Sequence, residues 1–194
     1  VNYAIPVIAG LMYRDSVEVD ELKHPLRVEK LEIVQDSAGA GRQRGAPAQQ
    51  IELTPTLEPT IGILLNVSPD HLDRHGTMEN YANLKTRLVQ EAKHPIVGDD
   101  DEWCRDISDR LRLANRTWVD IVSADSRVAH GWYGSGTALI SNAPWTGPLG
   151  PFADLAGIAS LRGRHNAQNA LAASAAAMIL GVRPKEVAAA LATF

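Results

Sequence analysis

The stretch IGILLNVSPDHLDRHGTMENYANLK (61–85) decides how the chain is read. Residues 61–67 are almost wholly apolar, as suits a strand buried on both faces of a parallel sheet. From Thr77 the chemistry is that of a helix start: Thr77 is a good N-cap, and Glu79 falls in the first turn, where the helix dipole favours an acid. Asn80 stands where a capping box would carry Glu or Gln. Met78, Tyr81, Leu84, Leu88 and Ala92 then recur in steps of three and four, predicting one apolar helix face. Between strand and helix lies a polar loop. Open parallel sheets bind ligands in such loops, outside the carboxyl ends of their strands.

Working outward, PIVG (95–98) reads as a second strand closed by the acidic turn Asp99 to Asp101. Trp103, Ile107, Leu111 and Ala114 mark a further amphipathic helix, and WVDIV (118–122) a further strand. Strand–helix–strand–helix–strand order predicts βαβ units in a parallel sheet. HGWYGSGTALISN (130–142) has the glycines and β-formers of a hairpin or small antiparallel patch. GRHNAQNALAASAAAMILG (163–181) predicts an alanine-rich helix packed closely on the sheet and ended by Gly181. Pro184 opens a last helix at a position where proline is tolerated. Upstream, LRVEKLEIV (26–34) alternates as a strand would, while residues 1 to about 46 are otherwise poorly patterned. GAGRQRG (39–45) lacks the Lys-Ser/Thr of a phosphate-binding loop and reads as a flexible connection. The expected fold is α/β, a three-layer and mostly parallel sheet with flanking helices and a small antiparallel patch.

A chain of 194 residues with 45% hydrophobic and 22% charged residues can bury a sizeable core. Its net charge of −4 gives no general attraction to nucleic acid or anionic membrane. Cys104 is the single cysteine, which excludes a disulfide framework and a cysteine-rich zinc site and points to a reducing cytoplasm. No segment reaches the roughly 18 apolar residues of a membrane span. The apolar opening, VNYAIPVIAGLMYR, has neither a basic start nor a clear cleavage site, and no initiator methionine precedes it. The sequence therefore reads as a fragment, or as a gene model with an unreliable start.

Three groups could carry chemistry. In NVSPDHLDRHG (66–76) the side chains of Asp70, His71, Asp73 and His75 leave one tight loop and could ligate a metal. The same residues also make good turn and capping chemistry, and their spacing matches no standard zinc signature. A metal-dependent hydrolase and a capped turn thus both remain open from these residues. Lys85 sits one step off the apolar stripe, either solvated at its tip or buried and reactive. Asn166 and Asn169 share a face of the later helix, with amides able to reach a base or ribose.

Taken together, NVSPDHLDRHGTMENYANLK and, some 80 residues on, GRHNAQNALAA resemble the central ATP-binding domain of the Mur ligases, whose fold is P-loop-NTPase-like. The resemblance covers residues 49–194, leaves 1–48 unassigned and, through GRHNAQN, favours the D-glutamate-adding branch. It implies ATP and Mg²⁺ as cofactors, with His71 and a carbamylated Lys85 on the magnesium side, both also catalytic, and Asp70 supporting them. It implies that Asn166 and Asn169 lie near the nucleotide, flanked by Arg164 and His165, and that Asn66 helps to shape the loop. The implied reaction joins D-glutamate to UDP-N-acetylmuramoyl-L-alanine through an acyl phosphate, in a cytoplasmic monomer with no nucleic-acid or membrane partner.

Departures from the pattern are marked. The family's Gly-Thr-Asn-Gly-Lys-Ser/Thr loop does not occur in these 194 residues. Its Glu-x-Ser-Ser-Tyr/Phe-Gln segment is reduced to Gln50, with Gly45 at the place of the glutamate. The sequence also stops before the family's C-terminal domain. The resemblance therefore implies a piece of such a ligase, inactive and poor at binding nucleotide in isolation, or a non-catalytic relic of the fold.

Overall fold

The structure is a computed structural model. It describes residues 31–34 (backbone), 51, 58–68, 76–114, 118–145 and 150–194. The chain divides into two compact units, whose described parts lie within residues 29–122 and 123–194.

In the first unit, β1 (Leu31–Val34), β2 (Ile61–Leu64), β3 (His94–Gly98) and β4 (Asp120–Ser123, ending at the unit boundary) are arranged in that order, all parallel. Ile61 lies opposite Leu31 and His94, and Ile96 opposite Ile63 and Asp120. Every residue of β2 and β4 is buried, the polar Asp120 and Ser123 at the ends of β4 included, so burial on both faces, not alternation, marks these strands. Helix α1 (Met78–Gln90) joins β2 to β3, and α2 (Glu102–Leu113) joins β3 to β4. Thr77 caps α1, its Oγ1 accepting from the Asn80 amide at 3.2 Å. Asp101 caps α2 in the same way from Cys104, at 3.0 Å.

The buried face of α1 is wider than the predicted stripe. Tyr81, Ala82, Lys85, Thr86, Leu88 and Val89 are buried, whereas Met78 and Leu84 are only half-buried. A helix lying flat on a sheet buries residues on both sides of its central line, and this places Lys85 inside. In α2 the buried set is Cys104, Ile107, Ser108 and Leu111, while Ala114 is exposed. The helices come very close to the strands. A Cβ on Gly62 would stand 2.5 Å from the Leu88 carbonyl oxygen of α1, and within the sheet one on Gly98 would stand 2.3 Å from the carbonyl oxygen of Leu65, just past β2.

The second unit contains the antiparallel patch: β5 (Gly131–Ser135), β6 (Ala138–Ser141) and β7 (Gly150–Asp154) form a meander. The two-residue turn between β5 and β6 starts at Gly136, whose φ of +62° suits glycine. Trp132 is fully buried on β5 and meets Trp145 edge to face, with ring centroids 6.5 Å apart. Helix α3 (Arg164–Ile179) packs on β5, and α4 (Pro184–Leu191) packs on β7 and α3. From Gln168 to Met178 every residue of α3 is buried, so its alanines let neighbours approach on all sides. It ends in a Schellman motif: Val182 N–H donates to the Ala177 carbonyl and Gly181 N–H to that of Met178, with Gly181 at φ +93°.

The fold is α/β and mostly parallel with an antiparallel patch, as expected. No helix among the described residues is long and apolar enough to cross a membrane. Of LRVEKLEIV, Leu31–Val34 form β1 while residues 26–30 lie outside the described residues, as does GAGRQRG.

Candidate functional site

At the carboxyl end of β2 the backbone continues through buried Leu65, half-buried Asn66 and buried Val67 to Ser68. Asp70, His71, Asp73 and His75 lie outside the described residues, which resume at Gly76 with φ +77°. Lys85 is the best-placed reactive group that can be described. Leu88 lies over Gly62, and Lys85 is one helical turn nearer the start of α1, hence towards the carboxyl end of β2. Its residue is only 2% exposed. The ammonium sits 4.7 Å from the centre of the Tyr81 ring, within range of a cation–π contact. The open choice between a solvated and a buried lysine is settled: Lys85 is buried.

At the neighbouring strand end, Asp99, Asp100 and Asp101 follow β3. Asp99 has its carboxyl pushed above the usual range, chiefly by desolvation, with nearby Arg105 opposing the shift. Arg105 also donates to the Asp99 carbonyl at 2.7 Å, while Asp101 serves as a helix cap. Among the described residues, no group of three or more His, Cys, Asp or Glu side chains could hold a metal ion.

The second unit holds the other predicted cluster, around the start of α3. Asn166 donates from Nδ2 to the carbonyls of Arg162 (2.7 Å) and Ser160 (3.3 Å), which commits both amide hydrogens to the preceding loop. Asn169 is buried at 2% exposure, and His165 is exposed. Arg164 donates from Nε to Asp125 Oδ2 at 2.5 Å. Asp125 follows β4 in a turn fastened by Ser123, whose Oγ accepts from the amides of Asp125 (3.2 Å) and Ser126 (2.8 Å). Two contributors were thus missed in the sequence. Ser-x-Asp was a legible turn signal in VSADS, but its pairing with a residue 39 positions away was not. Tyr81 lies one turn from Lys85 and was assigned only to the core.

These arrangements define an α/β protein with a mostly parallel sheet, polar groups after its second strand and a buried lysine on the helix that follows. The Mur ligase middle domain matches residues 45–177, and the chain belongs to the Mur ligase family. Residues 3–78 also match hydantoinase B/oxoprolinase, over less than half of the chain and overlapping the first match from residue 45. Among curated relatives, UDP-N-acetylmuramoylalanine--D-glutamate ligase of Chelativorans sp. (strain BNC1) is 52% identical over 138 residues, covering 71% of this chain and 29% of that protein. The enzymes of the same name from Rhizobium johnstonii and Brucella abortus are 52% and 48% identical, each match covering 75% of this chain and 30% of the relative. The chain therefore spans about 30% of the length of these relatives. A pseudomurein peptide ligase type C from Methanothermus fervidus shares the fold, with a TM-score of 0.52 and 18% identity over 71% of this chain and 34% of that one.

Proposed function

We propose that this chain is the central part of an ATP-dependent ligase of peptidoglycan precursor synthesis, joining D-glutamate to UDP-N-acetylmuramoyl-L-alanine through an acyl phosphate. The observation that carries this reading is Lys85, buried on the helix after β2 in a chain of Mur ligase lineage. A lysine is seldom fully buried without a specific use, and Lys85 is held inside the fold on the helix that follows β2. Conversion of its amine to a carbamate would turn a group that repels Mg²⁺ into an oxygen donor of the kind that ion prefers. Bound Mg²⁺ would neutralise charge on the ATP phosphates during acyl phosphate formation.

In this reading His71, Lys85 as its carbamate, and Asp70 in support make up the magnesium side of the site. Asn166 and Asn169 serve the nucleotide side, with Arg164 and His165 beside them and Asn66 shaping the loop after β2. The described residues fit such a site in one respect and limit it in another. Lys85 is held where an oxygen donor could be built, whereas Asn166 already spends its amide hydrogens on Ser160 and Arg162. Asn166 acts by fixing the loop from Ser160 to Gly163, and Asn169, one turn further along α3, has the ligand-facing role in this reading. Residues 49–194 form the ligase portion and the protein works as a cytoplasmic monomer.

No Gly-Lys-Ser/Thr sequence occurs in the chain, so the ATP phosphates lack their usual backbone cradle and lysine. We therefore expect weak or no Mg-ATP binding by these 194 residues alone, and no ligase activity. Micromolar affinity by calorimetry would overturn that expectation. Lys85→Arg in the longest natural version of the protein tests the role of the lysine: it should abolish D-glutamate addition, and full activity would sink the assignment. The hydrolase alternative gains nothing from the ligase relatives.

A further inference from the structure

Helix α3 starts with an electrostatic defect. It has 16 residues, no side-chain cap at Gly163, no acid in its first turn, and a cation, Arg164, at its first position. The positive end of a helix dipole disfavours all three features. The compensating charge comes from elsewhere in the same unit: Asp125, fastened through Ser123, accepts from Arg164 Nε at 2.5 Å. The bond joins the turn after β4 to the first residue of α3, beside the segment that accepts the Asn166 hydrogen bonds at Ser160 and Arg162.

We propose that Asp125 is a positioning residue that, through Arg164, sets the first turn of α3 and with it the placement of Asn166 and Asn169. The functional part of this inference rests on the nucleotide-side reading of the two asparagines; the structural part does not. Both partners of the pair are about half exposed, so the effect is a modest one, confined to the first turn.

Hydrogen exchange on the 194-residue chain tests it. Ala167 N–H, which donates to the Gly163 carbonyl at 3.0 Å, is the first amide protected by α3. Asp125→Asn should speed exchange at Ala167 and Gln168 by about 2- to 5-fold, with Ile63 and Ile96 unchanged. Asp125→Glu should restore most of the protection. Arg164→Gln should cost less protection at Ala167 when added to Asp125→Asn than it does alone, because their pair is already broken. Unchanged exchange at Ala167, or effects of the two substitutions that simply add, would overturn the proposal. Titration with millimolar Mg-ATP, followed at the Asn169 side-chain amide by NMR, gives the functional arm. A resonance shift that needs several-fold more nucleotide in Asp125→Asn supports the positioning role, and an identical titration refutes it. If the unsubstituted chain shows no shift at all, as follows where Mg-ATP does not bind without a phosphate loop, the exchange result alone judges Asp125.

Discussion

Gly98 in the parallel unit and Gly136 in the antiparallel unit meet opposite demands. Gly98 lacks space: a Cβ would lie 2.3 Å from a backbone oxygen. Gly136 has open space around it, and what it supplies is a backbone at φ +62°. The helices differ in a parallel way. α1 and α2 are capped by their own Thr77 and Asp101 and bury one face, whereas α3 borrows charge from Asp125 and is buried almost all round. The βα unit is thus specified locally and limited by close packing. The unit around α3 is specified by turn conformation and by pairs distant in sequence.

The largest test of this contrast is Gly98→Ala, which should cost about 4 kcal/mol, because the added carbon meets fixed backbone and not a side chain that can move. A urea midpoint close to that of the unsubstituted chain would show that the spacing between the ends of β2 and β3 is softer than argued. Asp120 comes next. It is buried on β4, with Oδ1 lacking a hydrogen-bond partner among the described residues, and desolvation pushes its carboxyl up to about 7. Its folded value lies above the ordinary 3.8, so its contribution is complete below pH 4 and disappears as pH rises through about 7. The loss is up to about 4 kcal/mol, and Asp120→Asn should flatten that part of the stability–pH curve. Parallel curves for the two proteins would contradict it.

Smaller effects belong to the local devices. Thr77→Ala and Asp101→Ala should each lower stability by about 1 kcal/mol, measured by chemical denaturation, because each strips a cap from a helix with no substitute. Gly136→Ala should cost about 1 kcal/mol or slightly more through its left-handed φ alone. If it cost as much as Gly98→Ala, the distinction between space and conformation would collapse.

What could be read from the sequence follows the same division. IGILLNV, PIVG and WVDIV announced β2, β3 and β4 because a strand buried on both faces needs only an apolar run. The start of α1 at Thr77 and the end of α3 at Gly181 were legible because caps are chemistry within a few residues. β7, GPFAD, was not named, since five residues with Gly, Pro and Asp carry no strand signal and pair only through their neighbour β6. At the candidate site, Lys85 could be picked out but not its burial, which depends on how flat α1 lies on the sheet. Asn166 was assigned to a ligand, yet its amide hydrogens serve the loop before α3, a use fixed by turn geometry that residue spacing does not encode.

The burial of Lys85 also makes it a clock. Exposed lysines such as Lys93 and Lys185 meet an amine-acylating reagent readily, whereas Lys85 meets it only when the fold opens around α1. The ratio of the labelling rates therefore measures how often that helix opens. The carbamate proposed for Lys85 would have to form and break through openings of this kind, which makes the labelling ratio a guide to its exchange as well.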